Sequence, residues 1–260
     1  MKVGICELSY IPMRAGLSHT TEMTNQVLFG ELFEIITMRN DWTKIRLFHD
    51  NYEAWVETSS ITIIEDSEAA VEDFSKYIIC QEPTTLIRLN EKSKIHIPVG
   101  SKIPYSSRST KEFKIRNNKY SLPENFKHHK NIDFRMTIIA VADFMINTPY
   151  LWGGRTNWGI DCSGFSQLLY SLVDVKLPRD ASQQVSLGKT LSFVSEAQPG
   201  DLAFFDNDEA QITHVGIIYE NGKIIHASGK VKIDNLDHQG IYNKTLKRYS
   251  HNLRVVKSIL

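Results

Sequence analysis

The sequence predicts an α+β protein in which short all-β segments fill the first half and amphipathic helices lead into strands in the second. Three observations carry this. Residues 1–63 hold short runs rich in β-branched and aromatic residues at close intervals, separated by polar turns. Two stretches, 134–146 and the residues following Asp161, place apolar side chains at helical spacing. Two strand-like runs, 212–219 and 223–228, then face each other across Glu220-Asn221-Gly222.

The elements follow in order. Residues 2–7, 26–31, 32–37, 42–47 and 53–56 read as strands of a sandwich or small barrel. Residues 77–80, 85–89 and 94–101 read as further strands, and 113–122 as a hairpin turning at Asn117-Asn118. Residues 66–74 are acidic and alanine-bearing, so a helical linker competes there with a second barrel. The polar, basic stretch 123–131 marks a boundary. Residues 134–146 then form a helix that buries Ile138, Val141, Ala142 and Met145. The expected domains are 1–63, 64–125 and 126–260.

With 260 residues, of which 42% are apolar, the chain is long enough for two or three globular domains. Lysine and arginine (30) balance aspartate and glutamate (30), so no charge excess points to nucleic acid or an anionic membrane. Residues 1–20 hold no signal-peptide apolar run, and no stretch reaches the ~20 apolar residues of a membrane span. The expectation is a cytoplasmic monomer, or an exported protein if a leader has been removed. Cys6, Cys80 and Cys162 are odd in number and lack metal spacing, which favours free thiols over a disulfide framework.

One cysteine stands apart. After Cys162, Phe165, Leu168, Leu169 and Leu172 recur at i, i+3, i+4 and i+7, so Cys162 sits in the first turn of a helix and on its buried stripe. There the helix dipole and unpaired amides favour a thiolate. A base is available on the hairpin. If Tyr219 pairs with Lys223 and Gly222 takes the positive-φ position, paired numbers sum to 442. His214 and His226 then point to one face as diagonal neighbours, roughly 7–8 Å apart at Cβ. A one-residue slip would put them on opposite faces. A relay of Cys162, His214 and His226 is therefore permitted. A cysteine alone would be a small buried hydrophobe, and Cys plus two His could ligate zinc, but wide separations argue against a metal.

The ordered set Tyr150-Leu151-Trp152-Gly153-Gly154, Asp161-Cys162-Ser163-Gly164, Gln198-Pro199-Gly200-Asp201, His214-Val215-Gly216 and Ile225-His226-Ala227-Ser228 resembles the NlpC-type papain-like cysteine peptidases of bacterial cell-wall metabolism. Leu28-Phe29-Gly30-Glu31, Asp41-Trp42 and the Tyr52–Val56 run resemble bacterial SH3-like domains. Jointly they resemble the γ-D-glutamyl-L-diamino-acid endopeptidases that carry two such N-terminal barrels.

The resemblance implies a papain-like catalytic domain with Cys162 as nucleophile, His214 as general base and His226 as the orienting member. It implies substrate contacts from Asp161, Ser163, Tyr150 and Asp180. Ser182 lies one step beyond the serine of the family's loop, because Ala181 follows Asp180 directly. On the barrel side, Tyr52 matches a substrate-reaching tyrosine, and Glu22 is the acidic candidate for a free substrate amine. The implied reaction is hydrolysis of the bond after γ-D-glutamate in peptidoglycan stem peptides bearing a free L-alanine, without metal or organic cofactor. Two rivals are a lysin or amidase of intact peptidoglycan and a non-catalytic SH3-like peptide-binding protein.

Overall fold

The computed structural model describes residues 1–64, 76–104, 111–124, 126, 133–244 and 246–260. The helical linker expected at 66–74 lies outside them. The chain forms two compact units, Met1–Lys130 and Asn131–Leu260.

The first unit is built on β1 (Lys2–Ile5), β2 (Tyr10–Arg14), β3 (Met23–Leu28), β4 (Leu32–Arg39), β5 (Trp42–Leu47), β6 (Glu53–Glu57) and β7 (Thr62–Ile64). They form one antiparallel sheet in the order β3-β2-β6-β5-β4-β1-β7. Strict alternation drives the burial: in β5, Thr43, Ile45 and Leu47 point inward while Trp42, Lys44 and Arg46 do not. Ile45 and Leu47 join Ile11, Met13, Val27, Phe33, Ala54 and Val56 in a common core.

Two expectations are corrected here. The strand expected at 26–31 ends at Leu28, because Gly30 turns the chain with φ +77° and a Cβ there would collide with the Lys102 carbonyl. Strand β2 was not anticipated, since Pro12 lacks an N–H. It is tolerated because β2 meets β6 only at Arg14–Trp55, beyond the proline.

Strands β8 (Tyr77–Ile79), β9 (Thr84–Arg88), β10 (Ser93–Ile97), β11 (Lys102–Pro104), β12 (Glu112–Ile115) and β13 (Asn118–Ser121) follow. They form a four-stranded sheet β10-β9-β13-β12 and a separate pair, β11-β8. The β12–β13 turn is Arg116-Asn117, not Asn117-Asn118. Ile115 pairs with Asn118, and Arg116 takes the left-handed conformation at φ 49°. These strands bury Leu86, Ile97, Phe113, Ile115 and Tyr120 against Val3, Ile5 and Ile64 of the first sheet and Phe29 in the turn after β3. Buried Glu7 joins the two sets, accepting hydrogen bonds from Thr62 Oγ1 (2.7 Å), Tyr120 Oη (2.7 Å) and Asn118 Nδ2 (3.0 Å).

In the second unit, α1 (Phe134–Phe144) starts at Asp133, whose side chain caps the amide of Met136. It buries Ile138, Val141 and Ala142, with Met145 buried just beyond its end, as the spacing predicts. A short hairpin of β14 (Arg155–Thr156) and β15 (Gly159–Ile160) leads into α2 (Cys162–Ser171). Then come α3 (Ala181–Gln184), β16 (Lys189–Leu191), β17 (Leu202–Asp206), β18 (Ile212–Glu220), β19 (Lys223–Ser228), β20 (Lys230–Leu236), β21 (Gly240–Asn243) and β22 (Arg248–Ser258).

The sheet runs β16-β22-β17-β18-β19-β20-β21, and β21 pairs back onto β22. The last six strands therefore close into a barrel. Ala203, Phe205, Ile218, Ile224, Leu236, Ile241 and Val256, drawn from all six, fill it. Helix α2 lies against β18 and β19, which brings Cys162 to the hairpin that carries the histidines. The 198–201 segment is a structural device: Asp201 is buried and takes hydrogen bonds from Arg135 (2.9 Å), Ser258 (2.9 Å) and the amide of Gln198 (2.9 Å).

Candidate active site

Cys162 opens α2, with Asp161 as N-cap accepting from the amide of Gly164 at 2.7 Å. Glycine is required at both Gly154 and Gly164. A Cβ on Gly164 would lie 2.4 Å from the Gly154 carbonyl oxygen, so the helix start and the preceding loop pack backbone to backbone. The Cys162 sulfur takes hydrogen bonds from the amides of Ser163 and Val215. The second of these places it beside the residue that follows His214.

The dipole argument for a resting thiolate does not survive the geometry. Burial pushes the Cys162 thiol up to about 11, the Asp161 carboxylate adds to the rise, and the two amides and Arg179 oppose it only in part. The same burial still places Cys162 ahead of Cys6 and Cys80 in expected reactivity. Cys6 and Cys80 are raised further still by complete burial. Iodoacetamide should therefore alkylate Cys162 first. Peptide mapping after partial alkylation checks this, and equal labelling of all three thiols would contradict it.

The hairpin register decides the histidines. Ile217 pairs with Ile225 and Ile218 with Ile224, so the body of the hairpin sums to 442 as expected. The turn itself differs: Glu220 pairs with Lys223 across Asn221-Gly222, and a bulge at Tyr219 absorbs the extra residue. Gly222 takes φ +71°. Gly216 faces His226, and a Cβ on Gly216 would come within 2.6 Å of Ile224 and 2.9 Å of the His226 Cβ. Gly216→Ala should displace His226, costing about 1–3 kcal/mol by overpacking and lowering turnover more than the thermal midpoint suggests. Steady-state kinetics beside a melting curve would show an unaltered kcat if this reading were wrong.

Both imidazoles are buried, and His214 Nε2 lies 2.8 Å from His226 Nδ1. Two neighbours were not anticipated. Asp234 on β20 stands 3.1 Å from His226 Nε2 and also pairs with Lys232 at 3.2 Å. His251 on β22 stacks on His214, with centroids 4.2 Å apart and 27° between planes, and Phe205 packs against both rings. Burial, more than the neighbouring cationic sites, lowers His214 well below its ordinary range. Burial likewise lowers His226, opposed by the Asp234 carboxylate, and pulls His251 down to about 4.

The loop before Cys162 is tied down on two sides. Tyr150 N bonds the Gly229 carbonyl (3.0 Å), and Gly153 N bonds Asp161 Oδ2 (2.8 Å). Burial raises the Tyr150 phenol to about 12, and the Cys162 and Asp161 charges add to the rise. Its side chain therefore belongs to this cluster. Asp161 and Ser163 share a partner that the sequence did not single out. The buried Arg179 guanidinium grips both Asp161 oxygens, at 3.0 Å through Nη1, and the same nitrogen donates to Ser163 Oγ at 2.9 Å. Buried Gln184 on α3 fixes the arginine's segment, donating to the carbonyls of Pro178 (2.8 Å) and Ser163 (3.1 Å).

Asp180 and Ser182 lie exposed at the start of α3, where the Asp180 carbonyl takes the amides of Gln183 and Gln184. In the first unit, Tyr52 is half-buried against the core of the first sheet and Glu22 is exposed just before β3.

A thiol at a helix start beside paired imidazoles has the groups nucleophilic catalysis needs, and the sequence comparisons place the chain among peptidases. Residues 147–250 match the NlpC/P60 family, and residues 13–61 match the bacterial dipeptidyl-peptidase Sh3 domain. The chain belongs to the NlpC/P60 family. The probable endopeptidase NlpC of Escherichia coli is 45% identical over 113 residues, 39% of this chain and 73% of that protein. Over most of the chain, the γ-D-glutamyl-L-lysine dipeptidyl-peptidase of Bacillus subtilis is 26% identical, spanning 90% of this chain and 82% of its own. A crystal structure of an NlpC/P60 family protein from Bacillus cereus shares the fold, with TM-score 0.83, 17% identity and 99% of each chain covered.

Proposed function

We propose that this protein is a cysteine endopeptidase that hydrolyses the γ-D-glutamyl–L-diamino-acid bond of peptidoglycan stem peptides with a free N-terminal L-alanine, in cell-wall peptide recycling. The observation that carries it is the buried His214–His226 pair beside Cys162, on a chain similar along most of its length to γ-D-glutamyl-L-lysine dipeptidyl-peptidases. The fold reading that accompanies it is papain-like for residues 126–260, with 64–125 as a second, diverged SH3-like unit.

The chemistry follows from the protonation states. With the thiol raised and the imidazole lowered, the resting pair is neutral. His214 therefore takes the thiol proton as Cys162 Sγ attacks the γ-carbonyl carbon. The oxyanion develops at the first turn of α2, where the Cys162 amide has no intrahelical partner. Collapse of the tetrahedral adduct expels the diamino-acid amine, which takes its proton from the His214 imidazolium. The thioester is then hydrolysed by water that gives its proton to the same imidazole, releasing L-Ala-γ-D-Glu.

The test compares L-Ala-γ-D-Glu-meso-diaminopimelate, its L-lysine counterpart and the same peptides capped by N-acetylmuramate, read by mass spectrometry with Cys162→Ala as blank. Cleavage of an uncapped peptide alone is the expected result. Equal cleavage of capped and uncapped peptides would remove the requirement for a free amine. No cleavage of any of them would remove the substrate assignment.

A further inference from the structure

We propose that Asp234 is a positioning residue that fixes the tautomers of both imidazoles and so leaves His214 Nδ1 bare as the base. The inference deepens the reading of the site as a cysteine peptidase and rests on it.

The argument is one of hydrogen-bond accounting. Asp234 Oδ2 lies 3.1 Å from His226 Nε2 and 3.2 Å from Lys232 Nζ. An ionised carboxylate only accepts, so His226 Nε2 must carry a proton. A buried neutral imidazole has one proton, which leaves His226 Nδ1 as an acceptor. His226 Nδ1 is 2.8 Å from His214 Nε2, so His214 donates there and its own proton sits on Nε2. The remaining nitrogen, His214 Nδ1, then holds a free lone pair. One carboxylate thus sets the direction of two successive hydrogen bonds.

The sheet supports the placement. Lys232 pairs with His226 across β19–β20, and Asp234, two residues on, points to the same face as its diagonal neighbour. This repeats the diagonal step that relates His226 to His214. The charged and titratable groups around His226 are His214 from β18, Lys232 and Asp234 from β20 and His251 from β22. Of these, Asp234 is the only anion among the described residues, and the others oppose a second proton on His226. The carboxylate is held below its ordinary range first by the hydrogen bond from His226 and then by Lys232, so it stays an acceptor across the working pH.

Without Asp234 the pair can invert. His226 would carry its proton on Nδ1 and donate to His214 Nε2, and His214 would hold its own proton on Nδ1. That tautomer cannot accept the sulfur's proton.

The test is nitrogen NMR on the intact protein labelled with 15N-histidine, for wild type, Asp234→Ala and Asp234→Glu. In the wild type, His214 and His226 should both show protonated Nε2 and bare Nδ1. Asp234→Ala should lose this single pattern, and Asp234→Glu should restore it. The pseudo-first-order alkylation rate of Cys162 by iodoacetamide should fall about 10- to 100-fold in the alanine variant and recover in the glutamate variant. Turnover, where measured, should fall in kcat with KM little changed.

A wild type with the proton on His226 Nδ1, or an alanine variant with unchanged tautomers, would overturn the proposal. So would an unchanged alkylation rate. These readouts need no substrate, so failure to cleave stem peptides would sink the functional reading and leave this inference to be decided by the nitrogen shifts.

Discussion

Exchanging Arg179 for alanine is expected to destabilise the second unit by about 3–5 kcal/mol, the range for stranding one partner of a buried ion pair. The guanidinium is 2% exposed and the Asp161 side chain 8%, so water cannot replace the lost cation. The Asp161 carboxylate would keep the Gly153 and Gly164 amides and the Ser163 hydroxyl at 3.4 Å, dipoles in place of a charge. The damage should spread through those same bonds. Gly153 belongs to the loop that carries Tyr150, and Gly164 to the first turn that carries Cys162, so activity should fall together with the melting temperature. Arg179→Lys should recover only part, because an ammonium cannot grip both oxygens and Ser163 Oγ in one plane. The exposed Arg46–Glu53 pair, at 2.6 Å, serves as control, and its loss should leave stability nearly unchanged because solvent screens it. Chemical denaturation of these variants, with Asp161→Ala completing a cycle, measures the coupling. A loss below about 1 kcal/mol for Arg179→Ala, with full activity, would contradict the reading.

What was legible in the sequence divides along physical lines. Local periodicity gave α1 and α2 and placed Cys162 at a helix start, because an amphipathic stripe is a property of neighbouring residues. Parity gave the shared face of His214 and His226. It survived a wrong turn length only because the Tyr219 bulge restored the phase. The same parity puts Asp234 beside His226, but alternating Lys and Asp on a strand reads as a solvated face, and the signal passed unused. His251 was out of reach: β22 joins β17 across the 41 residues 207–247 and with its own bulge at Phe204–Phe205, so no local pattern carries its register. Arg179 stayed hidden for a third reason. A buried arginine is rare enough that sequence alone favours solvent exposure, until its carboxylate partner is seen buried with it. In the first unit most strands were visible, yet not their partners. The common core of β1, β7 and the β8–β13 segment depends on long-range contacts such as Glu7 with Tyr120.

Replacing His214 with alanine is expected to lower kcat by about 10²–10⁴, the usual worth of a positioned general base, and the pH profile of the wild type should show why. His214 is depressed well below its ordinary range, so it remains unprotonated in mildly acidic solution, and the acid limb of kcat/KM should fall below about 6.5, the ordinary histidine value. Cys162 keeps its proton up to about 11, so no alkaline limb should appear at the ordinary thiol value. The result is a broad plateau, flat across neutrality, on which a neutral thiol and a neutral imidazole react together. A narrow bell with a limb near 8–9 would instead mean that a free thiolate carries the reaction.

Stability should follow the same histidines with a definite sign. Each of His214, His226 and His251 binds its proton less tightly folded than unfolded. Below about 6.5 the unfolded chain therefore holds more protons, and stability falls as pH falls. His251→Phe keeps an aromatic ring on His214 while removing one of the three proton sites. It should flatten the acid side of the melting-temperature curve and leave the neutral plateau of kcat/KM in place. If it instead lowers kcat at neutral pH as far as His214→Ala does, the stacked imidazole takes part in proton transfer and His214 is not the sole base.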